Sequence, residues 1–214
     1  MLEEKLLPSV LETIPVKAFS GVFYRAVTLE ALYGFHHSPP YPAIRPLYNL
    51  GAPATGARYT PRNGMPSLYL AESTDTAIAE VNQIFATLRR LQLPTSVPIS
   101  PCVLFSVNVS LKQVLDLSDP QIQVTLQTDL GELLAPWREA QPSATLPATQ
   151  RLGRESFDSG RIQALRYPSA QEANRHCYVI FTDRLGETDF VEVYDPDGNL
   201  KERLPPDASF PQSP

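Results

Sequence analysis

Arg58, Tyr59, Tyr69 and Glu80 stand close together in the chain, within the stretch from Gly51 to Asn82. The residue types suit a phosphorylated ligand, because an arginine presents a rigid, always-charged fork of donors that matches phosphate oxygens. The stretch reads as loop, strand and helix with these four residues at its corners. Each also has a plain structural alternative. Glu80 lies off the apolar stripe of its helix, where a solvated carboxylate is the simplest reading. Arg25 sits inside an apolar strand and must be paired or face a polar cleft, since burying a bare guanidinium is prohibitive. On an exposed strand face it would be unremarkable. Ser169 follows a strand end, where capping, a turn or a ligand contact are all open to it. Asn174 comes shortly after it.

Local pattern gives the elements that must position these groups. The Gly/Pro-rich run ending at Gly56-Ala57-Arg58-Tyr59 reads as a loop, Pro61 to Gly64 as a turn, and Ser67 to Ala71 as a buried strand. Ser73 or Thr74 can cap the next helix, with Asp75 at its positive end. That helix is expected from about Asp75 to Leu91, with Ile78, Val81, Phe85 and Leu88 as its apolar stripe and Pro94 beyond its end. Gly21 to Val27 reads as a strand. Cys102 to Val109 alternates, placing Val103, Phe105, Val107 and Val109 on one face. Asp119-Pro120 opens a helix, short helical pieces surround Trp137, and a further helix over roughly 147–158 ends near Gly160. Its Arg151, Arg154 and Glu155 read as a solvated face. A strand from Ile162 turns at Pro168-Ser169, Cys177 to Thr182 forms another, and a closing hairpin turns at Asp195-Pro-Asp-Gly198. Residues 33–57 form a long irregular segment carrying Tyr33, Phe35, Tyr41 and Tyr48, read as a lid or binding loop. Strands and helices mix without regular βαβ alternation, so the class is α+β, a single domain with an antiparallel-rich sheet.

Composition narrows the function classes. The chain has 214 residues, 43% hydrophobic and 19% charged, which fits a single folded domain and not a disordered chain. A net charge of −5 gives no basic footprint for nucleic acid or an anionic membrane. No apolar run approaches the ~20 residues needed to span a bilayer, and the acidic N-terminus lacks the features of a secretory signal. Cys102 and Cys177 read as reduced core thiols of a cytoplasmic protein. His36, His37 and His176 form no zinc pattern, so no metal is expected. Leu6, Leu7, Val10, Leu11 and Ile14, broken by Pro8 and Pro15, read as an N-terminal arm over residues 1–18. The domain follows over 19–204, with a flexible tail over 205–214.

Three stretches together resemble the RES domain family, named for its Arg, Glu and Ser. They are Tyr24-Arg25; Gly56-Ala57-Arg58-Tyr59 with Leu68-Tyr69-Leu70-Ala71 and Ala77 to Glu80; and Leu165-Arg166-Tyr167-Pro168-Ser169-Ala170. The family's usual Gly-Gly-Arg is Gly-Ala-Arg here, and a Pro-rich insert precedes it. The resemblance implies a fold like that of ADP-ribosyltransferases and the toxin of a bacterial toxin–antitoxin pair. It implies NAD⁺ as substrate, cleaved between nicotinamide and ribose, with water, phosphate or a protein side chain as acceptor. Carried onto this chain, Glu80 stabilises the oxocarbenium-like state or holds a ribose hydroxyl. Arg58 and Arg25 take the diphosphate, Tyr69 stacks on nicotinamide or orients the ribose, and Ser169 binds the ribose or the amide. Tyr59 and Asn174 complete the ligand contacts. The implied partner is an antitoxin with a helix-turn-helix region that covers the site; a homo-oligomer is a further expectation. Two alternatives stand beside an NAD⁺ glycohydrolase or phosphorylase: an ADP-ribosyltransferase modifying a specific protein, and a non-catalytic binding protein on the same scaffold.

Overall fold

Alternating apolar residues build the two longest strands, β1 (Lys17–Thr28) and β3 (Cys102–Asp116), which pair antiparallel from Thr28 opposite Cys102 to Lys17 opposite Val114. The computed structural model describes residues 1–33, 44–83, 88, 91–92, 101–140, 146–197, 200 and 202–206. Strand β2 (Ser67–Ala71) meets β1 where Tyr24 faces Ala71, and its other edge pairs with β5 (His176–Phe181). Next to β5 runs β4 (Ala164–Pro168), whose far edge lies parallel to the end of β3. The order β1-β2-β5-β4-β3, with β1 also bonded to β3, closes five strands into a ring. The short strands β6 (Phe190–Val193) and β7 (Arg203–Leu204) extend from β3. Among the described residues only β3 and β4 pair in parallel, so the sheet is mixed and antiparallel-rich, as expected.

Period-two alternation divides the apolar residues between two cores. Phe23, Leu68, Leu70, Phe105, Val107, Tyr178 and Ile180 fill one. Ala71, Leu165, Tyr167, Cys177, Val179 and Phe181 join the helices in the other. A bulge switches β3 between them. Two steps on β1, Lys17 to Phe19, face three on β3, Leu111 to Val114, so Val114 stays in the first core while Leu115 enters the second. The buried Gln163 carboxamide oxygen accepts from the Lys112 and Gln113 amides at the bulge, both at 2.9 Å, and its Nε2 donates to Asp189.

Helix α1 (Leu7–Thr13) carries Pro8 in its first turn, where a missing N–H has no intrahelical partner to lose. Pro8 therefore does not break the N-terminal helix. The arm turns Leu7, Leu11 and Ile14 into the second core and packs on the helix at residues 148–158. Helix α2 (Leu29–Tyr33) follows β1. Residues 34–43 of the expected lid lie outside the described residues, and its end, α3 (Gly51–Thr55), is helical where a loop was expected. Pro53 lies within the first turn there too. Helix α4 (Thr74–Val81) is capped by Ser73, which accepts from the Thr76 amide at 3.1 Å. Most of its expected extension to Leu91 lies outside the described residues. Of the expected stripe, Ile78 is 38% exposed, Val81 and Leu88 are half-buried and Phe85 lies outside the described residues, while Thr76 and Ala77 are buried. Three short helices come next, α5 (Pro120–Thr125), α6 (Leu130–Leu134) and α7 (Trp137–Ala140). Helix α8 (Ala148–Asp158) ends before Gly160 at φ +68°. Its charged side holds the N-terminal segment and is not simply solvated: Arg154 pairs with Glu4, and Arg151 donates to the Leu2 carbonyl.

Candidate active site

A cavity of about 180 Å³ lies where α4, α7 and the Gly56–Arg58 segment cover the sheet. Strand alternation aims Tyr24 and Ala26 of β1, Tyr69 and Ala71 of β2, Tyr167 of β4 and Cys177 of β5 at it. Ala26, Ala71 and Ala77 are small enough to leave the space open. Trp137 and Arg138 of α7 form the wall across from the sheet, with Arg138 exposed at the rim.

Glu80, half-buried on α4, has both carboxylate oxygens engaged. Ser169 Oγ donates to Oε1 at 2.7 Å, the Cys177 thiol lies 3.7 Å from the same oxygen, and Gln83 Nε2 donates to Oε2 at 3.4 Å. The buried Ser169 hydroxyl also accepts from the Gln171 and Glu172 amides at 3.1 and 3.2 Å. Its single proton is thereby committed to the carboxylate. Thr76 Oγ1 donates to Glu172 Oε2 at 2.5 Å, tying the start of α4 to the same turn. Burial pushes the Cys177 thiol well above its ordinary pKa, the Glu80 charge adding to it, so the sulfur is a neutral donor.

Arg58 Nη1 donates to the Leu133 and Ala135 carbonyls at 2.8 and 3.0 Å, which fixes its loop to the end of α6. Tyr69 Oη accepts from the Tyr59 amide at 3.0 Å and shares a hydrogen bond with Thr60 Oγ1 at 2.9 Å. Burial raises its pKa above the usual phenol range, so the ring stays neutral. Arg138 stacks on the Trp137 ring, 4.5 Å from its centroid, and donates to Gln83 Oε1. Partial desolvation and then the repulsion of Arg58 lower its pKa; Glu80 opposes them.

Of the residues singled out in the sequence, Arg58, Tyr69 and Glu80 line the cavity, and Ser169 lies behind Glu80. Arg25, Tyr59 and Asn174 do not line it. Tyr24 and Arg25 are neighbours on one strand and must face opposite ways, and Tyr24 takes the cavity side. The Arg25 guanidinium instead donates to the Tyr48 carbonyl at 2.9 Å and the Tyr69 carbonyl at 3.3 Å. Burial lowers its pKa to about 10 against the opposing charge of Glu202. Tyr59 is a core residue, its ring 4.6 Å from that of Tyr167, and it reaches the site only through its amide. Asn174 is exposed in the β4–β5 turn at φ +59°, a left-handed position that Asn tolerates. Tyr24, Tyr167 and Cys177 join the face of Tyr69 through the inter-strand registers, which alternation along one strand does not reveal. Gln83, Trp137 and Arg138 carry no local signal.

Among the described residues no cluster of His, Cys, Asp or Glu could hold a metal ion, and no helix is long and apolar enough to cross a membrane. The RES domain family model matches residues 23–201 of the chain. A chain in the crystal structure of the M. tuberculosis MbcT–MbcA toxin–antitoxin complex is similar with a TM-score of 0.59 at 17% identity, over 88% of this chain and 89% of that one. At that identity the likeness is one of fold. No curated protein matches the sequence.

Proposed function

Because the chain belongs to the RES domain family, we propose that it consumes NAD⁺ by breaking the bond between nicotinamide and ribose. The observation that carries this reading is the Glu80 carboxylate, held at both oxygens in a cavity walled by Tyr24, Tyr69 and Tyr167 and flanked by Arg58 and Arg138. The volume, about 180 Å³, is below the roughly 300–1,000 Å³ of sites that enclose whole drug-sized ligands. It suits the nicotinamide–ribose end, with the phosphates at the rim.

In the proposed step the C1′–N bond breaks heterolytically and its electron pair goes to the nicotinamide nitrogen, cancelling the pyridinium charge. The ribose is left as an oxocarbenium-like cation, which the Glu80 carboxylate stabilises by its charge. Ser169 holds that carboxylate in place, and a neutral phenol such as Tyr69 offers its face to the leaving ring. An acceptor then adds to C1′ through a lone pair and gives up its proton. Water yields ADP-ribose, phosphate yields its phosphorylated form, and a protein side chain yields a modified protein. A carboxylate facing the cation is common to all three.

The M. tuberculosis structure is of a toxin with its antitoxin, and we extend that pairing to this chain. It would be a cytoplasmic toxin restrained by an antitoxin that covers the cavity mouth, with a helix-turn-helix region in the partner. The test is NAD⁺ consumption by the purified protein with and without phosphate, products resolved by chromatography. Nicotinamide should appear with ADP-ribose, or with a phosphorylated ADP-ribose only when phosphate is present. No nicotinamide release under either condition would overturn the glycohydrolase and phosphorylase readings and leave transfer to a protein or binding alone.

A further inference from the structure

Two guanidinium groups, Arg58 and Arg138, line the cavity against one carboxylate, Glu80. Among the described residues neither arginine forms an ion pair. Carbonyl oxygens anchor Arg58, and they orient its charge without neutralising it. Arg138 is held differently, its guanidinium carbon over the Trp137 ring and one nitrogen bonded to Gln83 Oε1. The Gln83 amide can lie only one way here. Arginine has no acceptor and a carboxylate no donor, so the oxygen must face Arg138 and the nitrogen must face Glu80. The amide thus links the two charges and keeps them from pairing directly. What remains at the rim is an oriented, unneutralised guanidinium beside a second one. Arg25, the other arginine that the family resemblance gives to the diphosphate, turns to the opposite face of the sheet.

We infer that Arg138 is a phosphate-binding residue of this site, clamping a phosphate group of the ligand together with Arg58, with Trp137 as its platform and Gln83 as its spacer from Glu80. The planar fork accepts two phosphate oxygens at once, and the stacked stem restricts its rotamers before the ligand arrives. The inference rests on the NAD⁺-consuming reading for the identity of the ligand. The phosphate belongs either to the dinucleotide's diphosphate or to an inorganic phosphate acceptor.

The test compares wild type with R138Q in two assays. Calorimetry measures binding of ADP and of pyrophosphate, and steady-state kinetics follow NAD⁺ consumption over a range of phosphate concentrations. If Arg138 holds the diphosphate, R138Q weakens ADP binding and raises KM for NAD⁺ by about tenfold or more, with a smaller change in kcat. If it holds the acceptor, KM for NAD⁺ stays put and the phosphate concentration for half-maximal rate rises by that factor. R138K, which keeps the charge and loses the fork, falls between. R138Q that binds ADP and turns over NAD⁺ within twofold of wild type at every phosphate concentration overturns the inference alone. Wild type that neither binds ADP nor consumes NAD⁺ overturns the NAD⁺ reading and this one with it. Should R138Q lose its thermal transition, R138M, whose stem still covers the Trp137 ring, takes its place.

Discussion

Glu80 and Ser169 are joined by one hydrogen bond, and the proposed NAD⁺-consuming reading gives each a contribution that can be measured. Removing the carboxylate as Glu80→Ala should abolish NAD⁺ turnover and toxicity, a loss of at least about 100-fold by analogy with other single electrostatic groups. The fold should survive, because Glu80 is half-buried on the cavity side of α4 and Thr76 and Ala77 hold that helix in the core. Purified E80A that keeps its thermal transition and stays toxic would exclude Glu80 from the chemistry. Ser169→Ala removes the donor to Glu80 and the acceptor for two turn amides. It should cost about 1–3 kcal/mol of stability and also lower kcat with little change in KM. A drop in thermal midpoint with kcat within twofold of wild type would reduce Ser169 to a turn residue.

At the scale of elements, the site depends on the contact between α8 and the Arg58–Thr60 segment. Gly153 lies so close to Tyr59 that an added Cβ would fall 1.9 Å from the Tyr59 carbonyl oxygen and 2.8 Å from its carbon. Backbone would have to move, and the Tyr59 amide is one end of the hydrogen bond that fixes Tyr69. Gly153→Ala should therefore destabilise the protein by about 1–3 kcal/mol, as overpacked cores do, and impair turnover as well. Urea denaturation checks the first effect, and an unchanged midpoint would mean that α8 sits farther from the segment. No spacing rule flags this glycine, since it fits an ordinary helix. The reach of sequence reading follows from the same distinction. Strand β2 was legible as a short apolar run, the first half of β3 because period-two alternation is local, and the α4 start because Ser73 is a local cap. Of the neighbours Tyr24 and Arg25, it is Tyr24 that lines the cavity, because a strand sends neighbours to opposite faces and the sequence does not say which face meets the cavity. Tyr59 and Asn174 are governed by packing and by a left-handed turn, and neither leaves a chemical mark in the sequence. Arg138 reaches Gln83 only through the tertiary fold.

For the molecule as a whole, the cavity is braced from the opposite side of the sheet. Arg166, the neighbour of cavity-facing Tyr167, donates to both oxygens of Asp116 at 3.0–3.1 Å, to Glu72 Oε1 at 3.1 Å and to Tyr178 Oη at 3.0 Å. Glu72 Oε2 accepts from the His176 amide at 3.2 Å and lies 3.0 Å from its Nδ1. The network joins the ends of β2, β3, β4 and β5. Glu72 directly precedes the Ser73 cap of the helix that carries Glu80, and His176 directly precedes Cys177. Burial alone would raise the Glu72 pKa, but His176 and Arg166 outweigh it, and the carboxyl titrates below its ordinary value of 4.5. A depressed folded-state pKa gives stability that is present above the unfolded value and lost as the pH falls through the folded one. Glu72→Gln should therefore lower the urea midpoint at pH 7, and its gap to wild type should narrow progressively below about pH 4.5. Wild-type NAD⁺ turnover should fall over the same acid range, as the anchor at the start of α4 is protonated. A gap that stays constant from pH 7 to about pH 3 would show that Glu72 is not held by its charge. The charge of the brace would then rest on Arg166 with Asp116, Tyr178 adding a neutral hydrogen bond.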